Sequence, residues 1–210
     1  MRTGFRPFWL AALAIVPLTA AFGGWAVVTV ASLPDYAVAG QPLRLEFTIR
    51  QHGFTLLTDL SPTVDAAGGS SVAARPLAAK GHYEATVVLP AANPTSVTIN
   101  SGFGNSRVTL LPINVVAAGA TAPVPLADAD RGRRLFVAKG CFNCHTHRDV
   151  DLRPIGPIGP DLTDRHLPVE YLRQQISNPR DEKKMPNLEL QPAEVAAITA
   201  FLSAESLGLR

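Results

Sequence analysis

Charged residues are distributed so unevenly along this chain that they divide it into two units. Residues 24–126 carry five basic and five acidic residues, whereas residues 127–210 carry twelve of each. Such a change in charge density indicates two domains built on different principles, and a chain of 210 residues has room for two small ones. The net charge of +2 provides no basic surface for nucleic acid, and only two cysteines exclude a disulfide scaffold.

The first 23 residues have the pattern of an export signal. Two arginines near the start precede an apolar run from Phe8 to Phe22, and small residues follow. This order of basic, apolar and small residues predicts a cleaved signal peptide at residues 1–23. A retained membrane anchor within residues 8–33 is the alternative. Either segment places the rest of the chain in the periplasm or another extracytoplasmic space.

Residues 24–117 alternate between apolar and polar side chains, as strands with one buried face do. Residues 43–49 place leucine, phenylalanine and isoleucine at every second position, and residues 83–89 repeat the pattern. The β-branched run after Trp25 favours a first strand over the end of a helix. Glycine-containing turns separate six or seven short strands. The pattern predicts an all-β, immunoglobulin-like sandwich of two antiparallel sheets.

The predicted sandwich carries few residues with evident chemistry. A blue-copper site requires a cysteine thiolate and two histidines, and residues 24–117 contain no cysteine. His52 and His82 therefore read as surface residues rather than as metal ligands. From Gly40 to Pro90 the sequence resembles the YtkA-like or FixH-like β-sandwich domains of bacteria, which implies a binding or assembly role.

A linker and then three helices are predicted after the sandwich. Residues 118–126 are small, uncharged and rich in proline, which is typical of an extended linker. Helices are predicted from about residue 128 to 139, from Pro168 to the segment before Pro179, and from Pro192 onward. Residues 127–210 are therefore predicted to be an all-α domain.

Cys141-Phe142-Asn143-Cys144-His145 is the most specific motif in the chain. The C-x-x-C-H spacing serves covalent haem attachment, in which both thiols bond to the porphyrin and the adjacent histidine ligates the iron. A thioredoxin-like pair would be expected within a βαβ pattern, and none is visible. A zinc site that included His147 would need further ligands elsewhere, and a simple disulfide is a third alternative. The motif predicts one haem c, attached through Cys141 and Cys144.

The C-terminal 84 residues, 127–210, resemble the class I (monohaem) cytochromes c. The resemblance is carried, in order, by Gly132, Leu135-Phe136, Lys139-Gly140-Cys141, the C-x-x-C-H core, Gly159-Pro160-Asp161-Leu162, Tyr171-Leu172, Ile176-Ser177-Asn178-Pro179 and Met185-Pro186-Asn187. It implies the all-α class I fold, in which the first and last helices cross closely at Gly132. It also implies that the carbonyl of Pro160 accepts a hydrogen bond from His145.

Met185 is predicted to be the second axial ligand of the iron. Once the signal peptide is removed, Met185 is the only methionine in the chain, and it lies in a polar loop next to Pro186. A thioether opposite histidine keeps the iron six-coordinate and raises its reduction potential. His147 and His166 are the alternative ligands, and His147 follows the proximal histidine too closely to reach the other side of the ring easily.

These features predict an exported monohaem c-type cytochrome that transfers electrons and is not an enzyme by itself. It would act as a carrier or as a subunit of a membrane-bound respiratory or photosynthetic complex, with other redox proteins as partners. The alternative is a haem-based sensor in which a small ligand displaces Met185. An enzyme such as a cytochrome-type peroxidase would normally need a second C-x-x-C-H motif, and the chain has one.

Overall fold

The computed structural model describes most of the chain, namely residues 24–67, 69–90, 94–153, 155–156 and 158–204. The predicted signal peptide or anchor at residues 1–23 lies outside this part. None of the helices in the described ranges is both long enough and apolar enough to cross a membrane. Within the same ranges, eleven strands precede three helices, so the N-terminal region is rich in β-structure, as predicted.

Two antiparallel sheets account for nine of the strands in the described residues. The first has the order β1-β3-β8-β7, with β4 beside β3: β1 (Ala26–Val30), β3 (Pro42–Gln51), β4 (Thr55–Leu56), β7 (Arg75–Pro76) and β8 (His82–Val88). The second has the order β10-β9-β5-β6: β5 (Thr63–Ala66), β6 (Ser71–Ala73), β9 (Val97–Asn100) and β10 (Arg107–Thr109). A parallel pair, β2 (Tyr36–Val38) with β11 (Asn114–Val116), was not expected from the sequence.

The alternating residues of β3 and β8 form the centre of the sandwich core. Leu45, Phe47 and Ile49 on β3 are fully buried, and so are Tyr83 and Val87 on β8. Residues paired across antiparallel strands project to the same face, so these two rows lie side by side. The second sheet covers them with its own buried residues, among them Val64, Ile99 and Val108.

Strand β1 is unusual because it lies at the edge of its sheet and yet all five of its residues are buried. Ala26, Val28 and Val30 belong to the hydrophobic core. The intervening Val27 and Thr29 point to the other face, which a sandwich standing alone would expose to solvent. This face is covered by the helical domain.

The C-terminal region contains three helices and a short 3₁₀ turn in its described residues. The elements are α1 (Asp128–Ala138), the 3₁₀ turn (Cys141–Asn143), α2 (Val169–Ser177) and α3 (Pro192–Ser203). Helices α1 and α3 cross where Gly132 lies against the backbone of Ala197. The rings of Phe136 and Phe201 meet edge to face beside the crossing, with centroids 5.7 Å apart. The close crossing at Gly132 agrees with what the resemblance implies.

The two domains pack against each other and are not connected by the linker alone. Asp35, just before β2, accepts hydrogen bonds from Arg131 Nε at 2.9 Å and Nη2 at 2.7 Å. Leu126 donates its backbone N–H to the same carboxylate, and Arg134 donates to the Asp35 carbonyl oxygen at 2.8 Å. A planar guanidinium paired with both carboxylate oxygens is a strong and directional contact. It fixes the start of α1 against the sandwich.

Acid is expected to weaken the contact between Asp35 and Arg131. The hydrogen bonds from Arg131 hold the pKa of Asp35 below its ordinary value of 3.8. A carboxylate whose pKa is lowered by folding stabilises the fold above its unfolded pKa, and this contribution is lost as the pH falls through the folded pKa. The wild type should therefore be more stable than Asp35→Asn at neutral pH, and their unfolding free energies should converge below about pH 4.

Denaturant unfolding of both proteins from neutral pH to about pH 2 measures this difference. Asp151→Asn, at an exposed carboxylate, is the matched control and should keep the pH profile of the wild type. A constant difference between the wild type and Asp35→Asn at every pH would contradict the prediction.

Candidate cofactor site

The C-x-x-C-H motif begins immediately after α1. Lys139 follows the last helical residue, and Gly140 has a φ of +80°, which turns the chain into the 3₁₀ turn that starts at Cys141. A Cβ atom on residue 140 would overlap Val27 Cγ1 of strand β1. Glycine is needed here for both its backbone conformation and its small volume.

The imidazole of His145 is held by a hydrogen bond and by close packing. Its Nδ1 lies 2.9 Å from the carbonyl oxygen of Pro160. Because a carbonyl oxygen can only accept, Nδ1 carries the proton and Nε2 keeps a free electron pair. Gly159 lies against the ring, where a Cβ atom would be 2.9 Å from Nε2. Burial lowers the pKa of His145, which favours the neutral imidazole that ligates metals.

A cavity of about 440 Å³ brings the residues singled out from the sequence together. Its volume falls in the ordinary range of ligand and cofactor sites. Cys141, Cys144, His145, Pro160 and Met185 all line it. Apolar side chains form most of the remaining wall: Val27, Phe136, Ile158, Leu162, Leu167, Leu172, Ile176, Leu188, Leu190, Ile198 and Leu202. An apolar cavity with two thiols, an imidazole and a thioether fits the chemistry of a covalently attached haem.

Met185 lies in the loop between α2 and α3. Its backbone N–H donates to the carbonyl oxygen of Asp181 at 3.0 Å, which forms a turn just before the methionine. Gln175 on α2 donates from Nε2 to the sulfur of Met185 at 3.5 Å. This hydrogen bond orients the thioether in the cavity. Nothing in the sequence indicated that Gln175 contacts Met185, because this contact depends on which side of α2 faces the loop.

The two cysteines have the electrostatics of buried thiols. Burial raises the pKa of Cys141 to about 12 and also raises that of Cys144. Reactive cysteines of thiol–disulfide enzymes have the opposite property, a lowered pKa in an electropositive setting. The two thiols are not joined in a disulfide. No group of three or more metal-ligating His, Cys, Asp or Glu residues comes together among the described residues.

The other histidines do not line the cavity. The ring of His147 packs on Phe201, with centroids 4.4 Å apart. His166 is exposed, and His82 is half-buried on β8. The exposed His52 lies beside Trp25 at the start of the sandwich, with ring centroids 5.4 Å apart.

Strand β1 contributes a cavity residue that sequence reasoning missed. Val27 belongs to the sandwich, yet it lines the cavity beside Gly140 and Cys141. The run after Trp25 predicted a strand and did not assign Val27 to a face. In the structure Val27 points away from the sandwich core, and nothing in the sequence shows which surface covers that face.

The cavity of the C-terminal region offers the two thiols and the imidazole that covalent attachment of a haem requires. Residues 127–202 match the family described as "Cytochrome C oxidase, cbb3-type, subunit III". The match supports a cytochrome c domain, and with it haem c and a role in electron transfer. It begins after the β-sandwich, so the resemblance of residues 40–90 to YtkA-like or FixH-like domains stays a prediction.

Two solved structures overlap part of the chain. "Crystal structure of the S-layer protein SbsC domains 4 and 5" has 23% identity and a TM-score of 0.30, over 43% of this chain and 51% of that one. "Structure of surface layer protein SbsC, domains 1-6" has 24% identity and a TM-score of 0.32, over 45% of this chain and 13% of that one. Likeness this low carries no argument about fold or function. A search of curated proteins gave no match.

Proposed function

We propose that this protein is an exported monohaem c-type cytochrome that transfers electrons through a His/Met-ligated haem. The observation that carries the proposal is the single cavity lined by Cys141, Cys144, His145 and Met185. The cysteines would bond to the porphyrin, and His145 and Met185 would supply the axial nitrogen and sulfur. The haem, when bound, supplies an iron that cycles between the ferrous and ferric states.

The protein's own residues would keep this site ready for electron transfer. The hydrogen bond to Pro160 fixes the tautomer and the plane of His145, as neighbours of metal-ligating histidines do. The hydrogen bond from Gln175 holds the sulfur of Met185 and disfavours its displacement. A firmly held sixth ligand supports electron transfer over the alternative, a sensor whose Met185 leaves when a small ligand binds.

The proposal includes an extracytoplasmic location and a redox partner. The apolar segment at residues 8–22 supports export, and covalent haem attachment outside the cytoplasm requires it. The protein would work as a carrier or as a non-catalytic subunit of a membrane-bound respiratory or photosynthetic complex. Membrane association would use the segment at residues 8–33 if it is retained.

The first experiment produces the protein in a host that attaches haem and measures its mass and visible spectrum. We expect one covalent haem and a low-spin reduced spectrum that carbon monoxide does not change. The double variant Cys141→Ser, Cys144→Ser should lack covalent haem. Absence of haem from the wild type would overturn the proposal. A spectral shift under carbon monoxide would favour the sensor.

Replacing Met185 is expected to leave one coordination position of the iron free for an added ligand. Met185→Ala removes the only sulfur ligand that the cavity offers besides the two cysteines. We expect carbon monoxide to bind to nearly all of the reduced protein, and the reduction equilibrium constant to fall at least tenfold, about 59 mV. Leu188→Ala, which shortens another side chain of the same cavity, is the matched control and should not bind carbon monoxide. Equal behaviour of the two variants would contradict Met185 as the ligand.

A further inference from the structure

The β-sandwich presents one side of strand β1 to the cytochrome domain. Val27 pairs with Arg50 and Thr29 with Thr48 across the antiparallel ladder of β1 and β3, so these four residues share a face. All four are buried. Val27 lies against Gly140, and Thr29 donates from Oγ1 to the carbonyl oxygen of Lys139 at 3.4 Å. This shared face is therefore an interface.

The interface reaches the cofactor cavity at Val27. The side chain is 3% exposed and lines the cavity on the side of Cys141. It also touches Gly140, whose lack of a Cβ atom makes room for Val27 Cγ1. A residue of the sandwich thus forms part of the wall of a site whose ligands all come from the other domain.

Contacts on either side of Val27 hold this wall in place. Lys139, which precedes the haem motif, donates from Nζ to the carbonyl oxygens of Val30 at 2.7 Å and Ala31 at 2.9 Å. The turn at Gly53 lies against Pro186, where an added Cβ atom would be 3.0 Å from the proline Cγ. The sandwich therefore touches both the segment that carries the cysteines and the loop that carries Met185.

A third contact joins the sandwich to the proline- and glycine-rich segment at residues 146–158. Gly156 lies against the indole of Trp25, where an added Cβ atom would be 2.9 Å from Cζ2. With this contact, the sandwich touches the cytochrome domain before β1, at the end of β1 and after β3. Val27 lies between these contacts and is the sandwich residue that lines the cavity.

We propose that the sandwich functions as a wall of the haem site that excludes water and raises the reduction potential. Ferric haem carries one more positive charge than ferrous haem, and an apolar, water-free wall disfavours the more charged state. Val27 supplies that wall beside Cys141. Covering this side also directs electron exchange to the remaining rim of the cavity, where Tyr171 and Lys184 are exposed. This role rests on the haem of the proposed function and does not depend on Met185.

The test replaces Val27 by threonine, which has nearly the same shape and carries a hydroxyl group in place of one methyl group. We expect Val27→Thr, in the haem-loaded full-length protein, to lower the reduction equilibrium constant at least threefold, about 28 mV. The matched control is Val88→Thr on β8 of the same sheet, where the side chain is 54% exposed. Its potential should equal that of the wild type.

A second variant at the same position keeps the proposal testable if Val27→Thr fails to fold. Val27→Ala removes two methyl groups, adds no polar atom, and should also lower the potential because water can approach the haem, while Val88→Ala should not. Covalent haem is first verified by mass in each protein. Wild-type potentials in both haem-loaded Val27 variants would overturn the wall proposal and leave the proposed function standing. A wild type without haem would overturn both.

Discussion

Gly132→Ala is expected to destabilise the cytochrome domain by about 3 to 5 kcal/mol. A Cβ atom at this position would overlap the carbonyl oxygen of Ala197 and lie 2.8 Å from Cβ of Phe201. Alanine in place of glycine favours a helix by about 1 kcal/mol, which is too little to offset a clash with the backbone of a neighbouring helix. To relieve the clash, α1 and α3 must move apart and disturb the contact between Phe136 and Phe201.

Denaturant unfolding of the haem-loaded protein measures the effect. Gly69→Ala is the matched control, because a Cβ atom there would meet its nearest neighbour at 3.4 Å, an ordinary contact. We expect the control to unfold as the wild type does. A Gly132→Ala protein of wild-type stability would mean that the two helices do not cross as closely as described.

The contrast between Ile49 and Arg50 explains what the sequence can and cannot predict about the sandwich. Alternation along β3 correctly predicts that Leu45, Phe47 and Ile49 face the core, because strand geometry sends successive side chains to opposite sides. The same pattern predicts that Thr48 and Arg50 are solvent-exposed. Both are buried. Their neighbours on β1, Val27 and Thr29, contact the other domain, and periodicity within one strand does not encode such a contact.

In the cofactor site, too, the sequence predicts the residues that are close together in the chain and misses one that domain packing brings in. The cysteines and His145 lie within five consecutive residues, so local spacing alone reveals them. Met185 is distant in sequence, but the scarcity of methionine points to it. Val27 is more than a hundred positions from Cys141 and is a common residue in a common pattern. Only the packing of the two domains brings it to the cavity.

The contacts of Lys139 were not predicted from the sequence either, because they join segments that are distant along the chain. Its side chain is 3% exposed, and Nζ lies 2.6 Å from Oε1 of Glu194, the third residue of α3. The other carboxylate oxygen of Glu194 accepts the backbone N–H of Gln191 at 3.1 Å. Lys139 thus joins three parts of the fold: the carbonyl oxygens at the end of β1, the end of α1 and the start of α3.

Lys139→Met is accordingly expected to reduce the free energy of unfolding by about 3 to 5 kcal/mol. The substitution keeps the length of the side chain but leaves Glu194, which is 15% exposed, without its cation. It also leaves the carbonyl oxygens of Val30 and Ala31 without this donor. Lys80→Met, at an exposed lysine of the sandwich, is the matched control and should change stability little.

Glu194→Gln distinguishes the contact of Lys139 with α3 from its hydrogen bonds to the sandwich. This variant weakens the contact between α1 and α3 but leaves both hydrogen bonds from Lys139 to the sandwich. Limited proteolysis within linker residues 118–126 reports how firmly the domains pack. We expect faster cleavage in Lys139→Met than in Glu194→Gln, because only Lys139→Met removes the contact between domains. Equal cleavage of both variants would mean that Lys139 stabilises the helices alone and that other contacts hold the sandwich to the cytochrome domain.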